Sequence, residues 1–217
     1  MIKTLFEGET AVICGTGPSV TPEVIEICNQ SKKEGKVRLF GVNLTYQYFD
    51  LNVLHGCNWQ FWSYYYPRDM NLRKSSFFKF TTRPELEGKY QGLHYIKEVW
   101  EPGLSTNPNV VHAHHNSGPQ VLNLALHYGI KKMLLIGHEL AYRPGQKRHF
   151  FDEYPLEMQH FTRNLGPNGE LVGLIKEYET INPSDYGIEI YNCTPDSALT
   201  HFPFMDLEEA INGQRRD

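Results

Sequence analysis

The chain has 217 residues, 21 Lys+Arg against 25 Asp+Glu for a formal net charge of −4, and 40% hydrophobic residues. That is the length of one domain with enough apolar matter for a core, which excludes a disordered chain and argues against a global electrostatic grip on nucleic acid or an anionic membrane. Mean hydropathy is −0.48, no apolar run approaches the ~18 residues of a transmembrane helix, and Glu7 and Glu9 interrupt a start that has no signal core, so a cytoplasmic protein with no membrane partner is expected.

In chain order, Thr10 to Cys14 (TAVIC) is a short apolar run ending at Gly15 and reads as a buried strand. Thr21-Pro22-Glu23 opens a helix, with Thr as N-cap, Pro at the first position and an acid in the first turn. Val37 to Val42 and Leu51 to Leu54 read as strands. Ser117, with Gln120 three residues later, predicts a capping box and a helix that closes at Gly129. Met133 to Ile136 is a continuous apolar run stopped by Gly137, the pattern of a strand buried on both faces. Glu170 to Thr180 predicts a helix, Gly187 to Tyr191 a strand, and Asp206-x-x-Glu209 caps a last short helix. The alternation predicts a single α/β domain over 1–217, a Rossmann-like parallel sheet with helices on both faces. Ligands of such sheets bind at the carboxyl ends of the strands, so the loops that follow strands are where a site is expected.

The first such loop is Gly15-Thr16-Gly17-Pro18-Ser19. Two glycines allow close backbone approach, and amides with the Ser19 hydroxyl at a helix start favour an anion or the polar edge of a nucleotide. It lacks the third glycine of a dinucleotide fingerprint and the Gly-Lys-Ser/Thr of a Walker loop; a tight Gly-Pro turn without a ligand reads the same way. Asn43 ends the second strand, Asn58 follows the third, and Asn116-Ser117-Gly118 begins the capped helix. An asparagine offers both donor and acceptor to a base or ribose, although Asn43 and Ser117 also read as plain helix caps.

Taken together, the blocks ICGTGPSV, GVNLTYQYF, CNWQFW, NSGPQVLNLALHYGIKKMLLIGHELAY and IYNCTPDSAL resemble, in order, those of the bacterial CMP-sialic-acid-dependent sialyltransferases. More loosely they resemble 6-hydroxymethylpterin pyrophosphokinase-like proteins and short phage-encoded relatives. The resemblance implies a glycosyltransferase-like, metal-independent enzyme without cofactors. Such an enzyme would move a group from a CMP-sugar or other nucleotide sugar to a hydroxyl acceptor, which would be a saccharide, a small molecule or a modified DNA base. It implies nucleotide contacts at Gly15, Thr16, Gly17, Ser19, Asn43, Asn58, Asn116, Ser117, Gly118 and Tyr142. It puts His149 where the family has a tyrosine on the leaving phosphate. Around Leu165, where the family has its general-base His, this chain has none; His160 lies five residues away and is the alternative base. His138 and Glu139 are further candidates. A non-catalytic nucleotide-sequestering protein, phage-encoded or not, and a pterin pyrophosphokinase-like enzyme are the alternative readings, and a homo-oligomer is allowed.

Cys14, Cys28, Cys57 and Cys193 are widely spaced with no C-x-x-C, which predicts reduced, buried thiols. No Asp-x-Asp occurs, and His112-x-His114-His115 lacks a third ligand nearby, so no metal site is expected. Residues 143–168 begin with the polar run Arg143 to His149 and are expected to form a lid. Trp59 to Arg83 holds nine aromatics and five cations with one acid, Asp69. It reads as a helix and hairpin packing rings on the core more readily than as a single-strand nucleic-acid track.

Overall fold

In the computed structural model, residues 4–113, 116–151, 153–155 and 165–213 are described. TAVIC forms the central strand β1 (Thr10–Cys14), with Val12, Ile13 and Cys14 fully buried. It pairs in parallel with β2 (Arg38–Val42) on one side and β8 (Lys132–Ile136) on the other. From β2 the sheet continues outward through β3 (Val53–His55), β4 (Phe78–Thr81) and β5 (Leu93–Tyr95), and from β8 to β9 (Glu189–Asn192). All pairings in this seven-stranded sheet are parallel, in the order β5-β4-β3-β2-β1-β8-β9. The strand order therefore reverses between β1 and β8, which opens a crevice at their carboxyl ends. A separate parallel pair, β6 (Lys97–Val99) and β7 (Val110–His112), lies outside the main sheet.

Side chains alternate across the sheet and build a core on each face. Ala11, Ile13, Phe40, Met133 and Leu135 pack with α4 (Ser117–His127) and with Tyr178 of α5 (Val172–Glu179). Val12, Cys14, Leu39, Leu134 and Ile136 pack with α1 (Pro22–Lys33), α2 (Trp59–Arg68), α3 (Met70–Lys74) and α6 (Leu207–Asn212). Among the described residues, no helix is long and apolar enough to cross a membrane.

The helix opened at Thr21 forms as expected, with Thr21 Oγ1 accepting from Val24 N. Three expectations are corrected. Asn116, not Ser117, caps α4, and Gln120 makes no capping box; its amide instead joins His55 Nε2 (2.7 Å) to Glu98 Oε1 (2.7 Å). The strand read at Leu51 starts at Val53, because Asn52 uses its side chain to accept from Leu39 N (2.9 Å) and mimics a strand pairing. Trp59 to Arg83 contains no hairpin: β4 is an internal strand, parallel to both neighbours. Phe61, Trp62, Tyr66 and Phe80 from this segment are buried, which accounts for its aromatic richness by packing. All four cysteines are free thiols.

One side chain fastens the small sheet side to the core. Asn123, fully buried on α4, accepts at Oδ1 from Ser105 N (2.8 Å) and His112 N (3.0 Å) and donates from Nδ2 to Ser105 O (2.9 Å). Removing it would orphan buried backbone groups. Asn123→Ala is expected to lower unfolding stability in urea by about 2–4 kcal/mol; a loss under about 1 kcal/mol would contradict this role.

Candidate functional site

The turns that leave β1 and β8 are pressed together. Gly15 N donates to Ile136 O (2.8 Å), Gly17 N to Gly137 O (2.9 Å), and Ser19 N to Glu139 Oε1 (2.6 Å). A Cβ on Gly15 would strike Gly137 O, and one on Gly17 would strike the Glu139 carboxylate. The glycines thus serve the approach of one turn to the other, and three loop amides are already spent inside the chain rather than open to an anion.

A cleft of about 240 Å³ lies over this contact, at the reversal point of the sheet. Of the residues expected at a nucleotide, Gly15, Thr16, Gly17, Asn43, Asn58, Asn116, Ser117, Gly118 and Tyr142 all line it, and so does His149. Ser19 does not; it lines a neighbouring cleft. His160 lies outside the described residues, as do His114, His115 and part of the 143–168 segment.

Each asparagine is placed by a strand end. Asn43 sits directly after β2 in a left-handed conformation, φ 51°, opening a 3-10 turn. Asn58 holds the N-cap position of α2 yet makes no capping hydrogen bond; its Oδ1 accepts from the weak donor Cys57 Sγ (3.6 Å). Asn116 caps α4 with Oδ1, accepting from Gly118 N (3.1 Å), while its Nδ2 is buried without a hydrogen-bond partner. Ser117 Oγ accepts from Cys57 N (3.1 Å) and so ties the β3 turn to α4. Gly118 must be glycine because the Tyr178 hydroxyl lies where a Cβ would be.

Four buried side-chain atoms around this one cleft have no hydrogen-bond partner: Asn43 Oδ1, Asn116 Nδ2, Glu139 Oε2 and His149 Nδ1. Buried polar groups are ordinarily satisfied, and leaving one unmade costs about 1–3 kcal/mol. All four converge on this cleft.

The opposite wall comes from the loop after β8. Phe150 N donates to Thr16 O (3.2 Å), fastening this loop to the glycine turn. His149 stacks on Phe151, with centroids 5.1 Å apart and planes 7° from parallel, and meets Tyr154 edge-on. Burial pushes its imidazole below the usual range, with a hydrogen bond to the Thr16 backbone among the effects working against that shift, so it is neutral near pH 7 rather than a cationic donor. Arg148 lies over the Tyr142 ring, 5.1 Å from its centroid, at the cleft wall. His138 is buried beneath the cleft, with Nδ1 2.8 Å from Ile136 O, and desolvation pushes it down to about 4. Among the described residues, no group of three His, Cys, Asp or Glu side chains is placed to hold a metal ion.

Glu139, read from sequence only as a further candidate base, lies at the meeting of the two turns, its carboxylate seated against Gly17 and accepting from Ser19 N. Tyr178 carries no signal in the sequence: it reads as one more apolar position of a helix.

No family model matches the chain, and no curated protein matches it. Among solved structures, the chain is similar to the crystal structure of the monofunctional alpha-2,3-sialyltransferase Cst-I from Campylobacter jejuni. The TM-score is 0.51 at 15% sequence identity, covering 96% of this chain and 83% of that one. The likeness is one of fold, and it extends over nearly the whole chain.

The depressed imidazoles give a pH dependence. His138 and the equally buried His55 each titrate at about 4 in the fold against about 6.5 unfolded. As pH falls through 6.5 the unfolded chain takes up these protons first, so stability is full above that value and is lost towards pH 4, by up to about 3 kcal/mol per ring. Urea unfolding across this window is expected to show the loss, with a shallower slope for His138→Gln; equal slopes would refute a buried neutral His138.

Proposed function

We propose that the chain is a transferase that takes a group from a nucleotide-activated donor, a CMP-sugar, to a hydroxyl acceptor. The observation that carries this reading is the convergence of unpartnered buried polar atoms on one cleft at the reversal point of a parallel sheet. The fold likeness to a sialyltransferase supports it at the level of architecture.

The cleft offers amides and hydroxyls with both donor and acceptor character, and the Arg148 guanidinium at its wall, which together suit a nucleoside monophosphate ester. On this reading Asn116 to Gly118 meet the base or ribose, Asn43 the ribose, and Asn58 and Tyr142 the phosphate. His149, on the lid side, meets the leaving phosphate. Charge on that phosphate grows as the glycosyl bond breaks, so the contact strengthens in the transition state. The reaction is one in-line displacement without a covalent intermediate.

Titration with CMP, followed by thermal shift and calorimetry, tests the site. Asn58→Ala and Asn116→Ala are each expected to weaken CMP binding by about 1–3 kcal/mol, with Asn116→Ala also losing about 1 kcal/mol of stability from its cap. Wild-type affinity in both variants would refute the assignment. His149→Ala is expected to slow CMP release from CMP-N-acetylneuraminic acid about 100-fold while leaving CMP affinity within a few-fold; an unchanged rate would remove His149 from the chemistry.

A further inference from the structure

A second cleft, of about 340 Å³, lies beside the first. The two share three lining residues, Pro18, Glu139 and His149. A group passing from a donor in one cleft to an acceptor in the other must cross at these residues, and only Glu139 and His149 among them carry groups that can handle a proton. Their neighbours separate their roles. His149 follows Arg148, which with Tyr142 lines only the first cleft. Glu139 is bonded to Ser19, which lines only the second, together with Arg143, Gln146, Lys147 and Asp196. We propose that the acceptor hydroxyl arrives through this second cleft and that Glu139 is the general base that takes its proton. The proposal rests on the donor reading given above.

The carboxylate is held for such a task. Oε1 accepts from Ser19 N at 2.6 Å, which fixes the group, while Oε2 is buried and unpartnered. Among the described residues Glu139 has no ion-pair partner that would consume its charge. The turn that aims it is strained and tied down: Leu140 is left-handed at φ 46°, Ala198 N donates to Glu139 O (2.8 Å), and Ser197 Oγ to His138 O. Strained backbone persists where surroundings over-determine it, and it clusters at functional sites. Gly17 lacks the Cβ that would evict the carboxylate. The second cleft is lined by hydroxyl, amide, guanidinium, ammonium and carboxylate groups, a surface for a hydroxyl-rich acceptor.

In the step, the acceptor O–H gives its proton to the Glu139 carboxylate as its oxygen bonds to the anomeric carbon of the donor. The bond from that carbon to the phosphate oxygen breaks, and its electron pair leaves on the phosphate, which His149 meets. Water in place of the acceptor gives hydrolysis by the same proton path.

The test uses the full chain, CMP-N-acetylneuraminic acid as donor, and either lactose or water as nucleophile. Glu139→Gln can still accept from Ser19 N but cannot take a proton. It is expected to release CMP ~100-fold more slowly or worse, with a CMP dissociation constant within about threefold of wild type. Glu139→Ala is expected to regain turnover on addition of formate, which a loop-fastening role would not allow. Glu139→Asp, which keeps the carboxylate but shortens its reach, is expected to turn over faster than Glu139→Gln. The base is overturned if Glu139→Gln keeps its rate, if it loses CMP affinity in step with rate, or if formate restores nothing. It is likewise overturned if the Asp variant is the slower of the two. If the wild-type chain neither binds CMP nor releases it from the donor, the donor reading fails and takes the base with it. An active wild type with an active Gln variant removes the base alone.

Discussion

Gly15 and Gly137 meet across the point where the strand order reverses, and the polar chemistry of the carboxyl edge is arranged around that meeting. In many nucleotide-binding sheets the first turn wraps an anion with free amides. Here Gly15 N, Gly17 N and Ser19 N bond to Ile136, Gly137 and Glu139. The fused turns make a rigid floor but have few backbone donors left to offer. On the proposed reading, recognition passes to side chains that the other strand ends supply, Asn43 from β2, Asn58 from β3 and Asn116 from the approach to α4. Such a set discriminates by matched donors and acceptors more than by charge.

That arrangement explains what the sequence could and could not disclose. β1, β8 and the start of α1 were legible because apolar runs bounded by glycine and a Thr-Pro-Glu cap each have one physical reading. The asparagines were legible as a group only through the rule that ligands bind at the carboxyl ends of parallel strands, and the structure does bring them to one cleft. The seat of the Glu139 carboxylate against Gly17 was not legible, since it depends on two turns 120 residues apart coming into register. Nor was the place of Asn52, whose side chain imitates a backbone partner for Leu39. Ser117 and Gln120 show the limit of a local motif. The spacing of a capping box is present, but Ser117 is recruited by Cys57 and Gln120 by His55 and Glu98, because tertiary partners outbid a local cap worth about 1 kcal/mol.

The same pair of residues links the candidate site to the core. Through Ser117 the β3 turn is tied to α4, and through Gln120 the first turn of α4 is tied to β3 and to Glu98 of β6. A low-dielectric surrounding makes these bonds strong when complete, so the wall carrying Asn58, Asn116 and Gly118 is braced from behind by His55, Gln120 and Glu98, none of which lines the cleft.

α4 has an unusual burial: ten of its eleven residues are buried. Helices normally leave one face to water. Amides sealed in this way exchange hydrogen only when the whole domain opens, whereas the loop from Arg143 to Lys147 is solvent-exposed and exchanges through local fluctuation. The α4 wall of the first cleft and this loop, whose Arg143, Gln146 and Lys147 line the second, therefore stand at opposite ends of the protein's ladder of local stabilities. A molecule reaching across both clefts meets one surface that is already fixed in shape and another that is free to adapt to it.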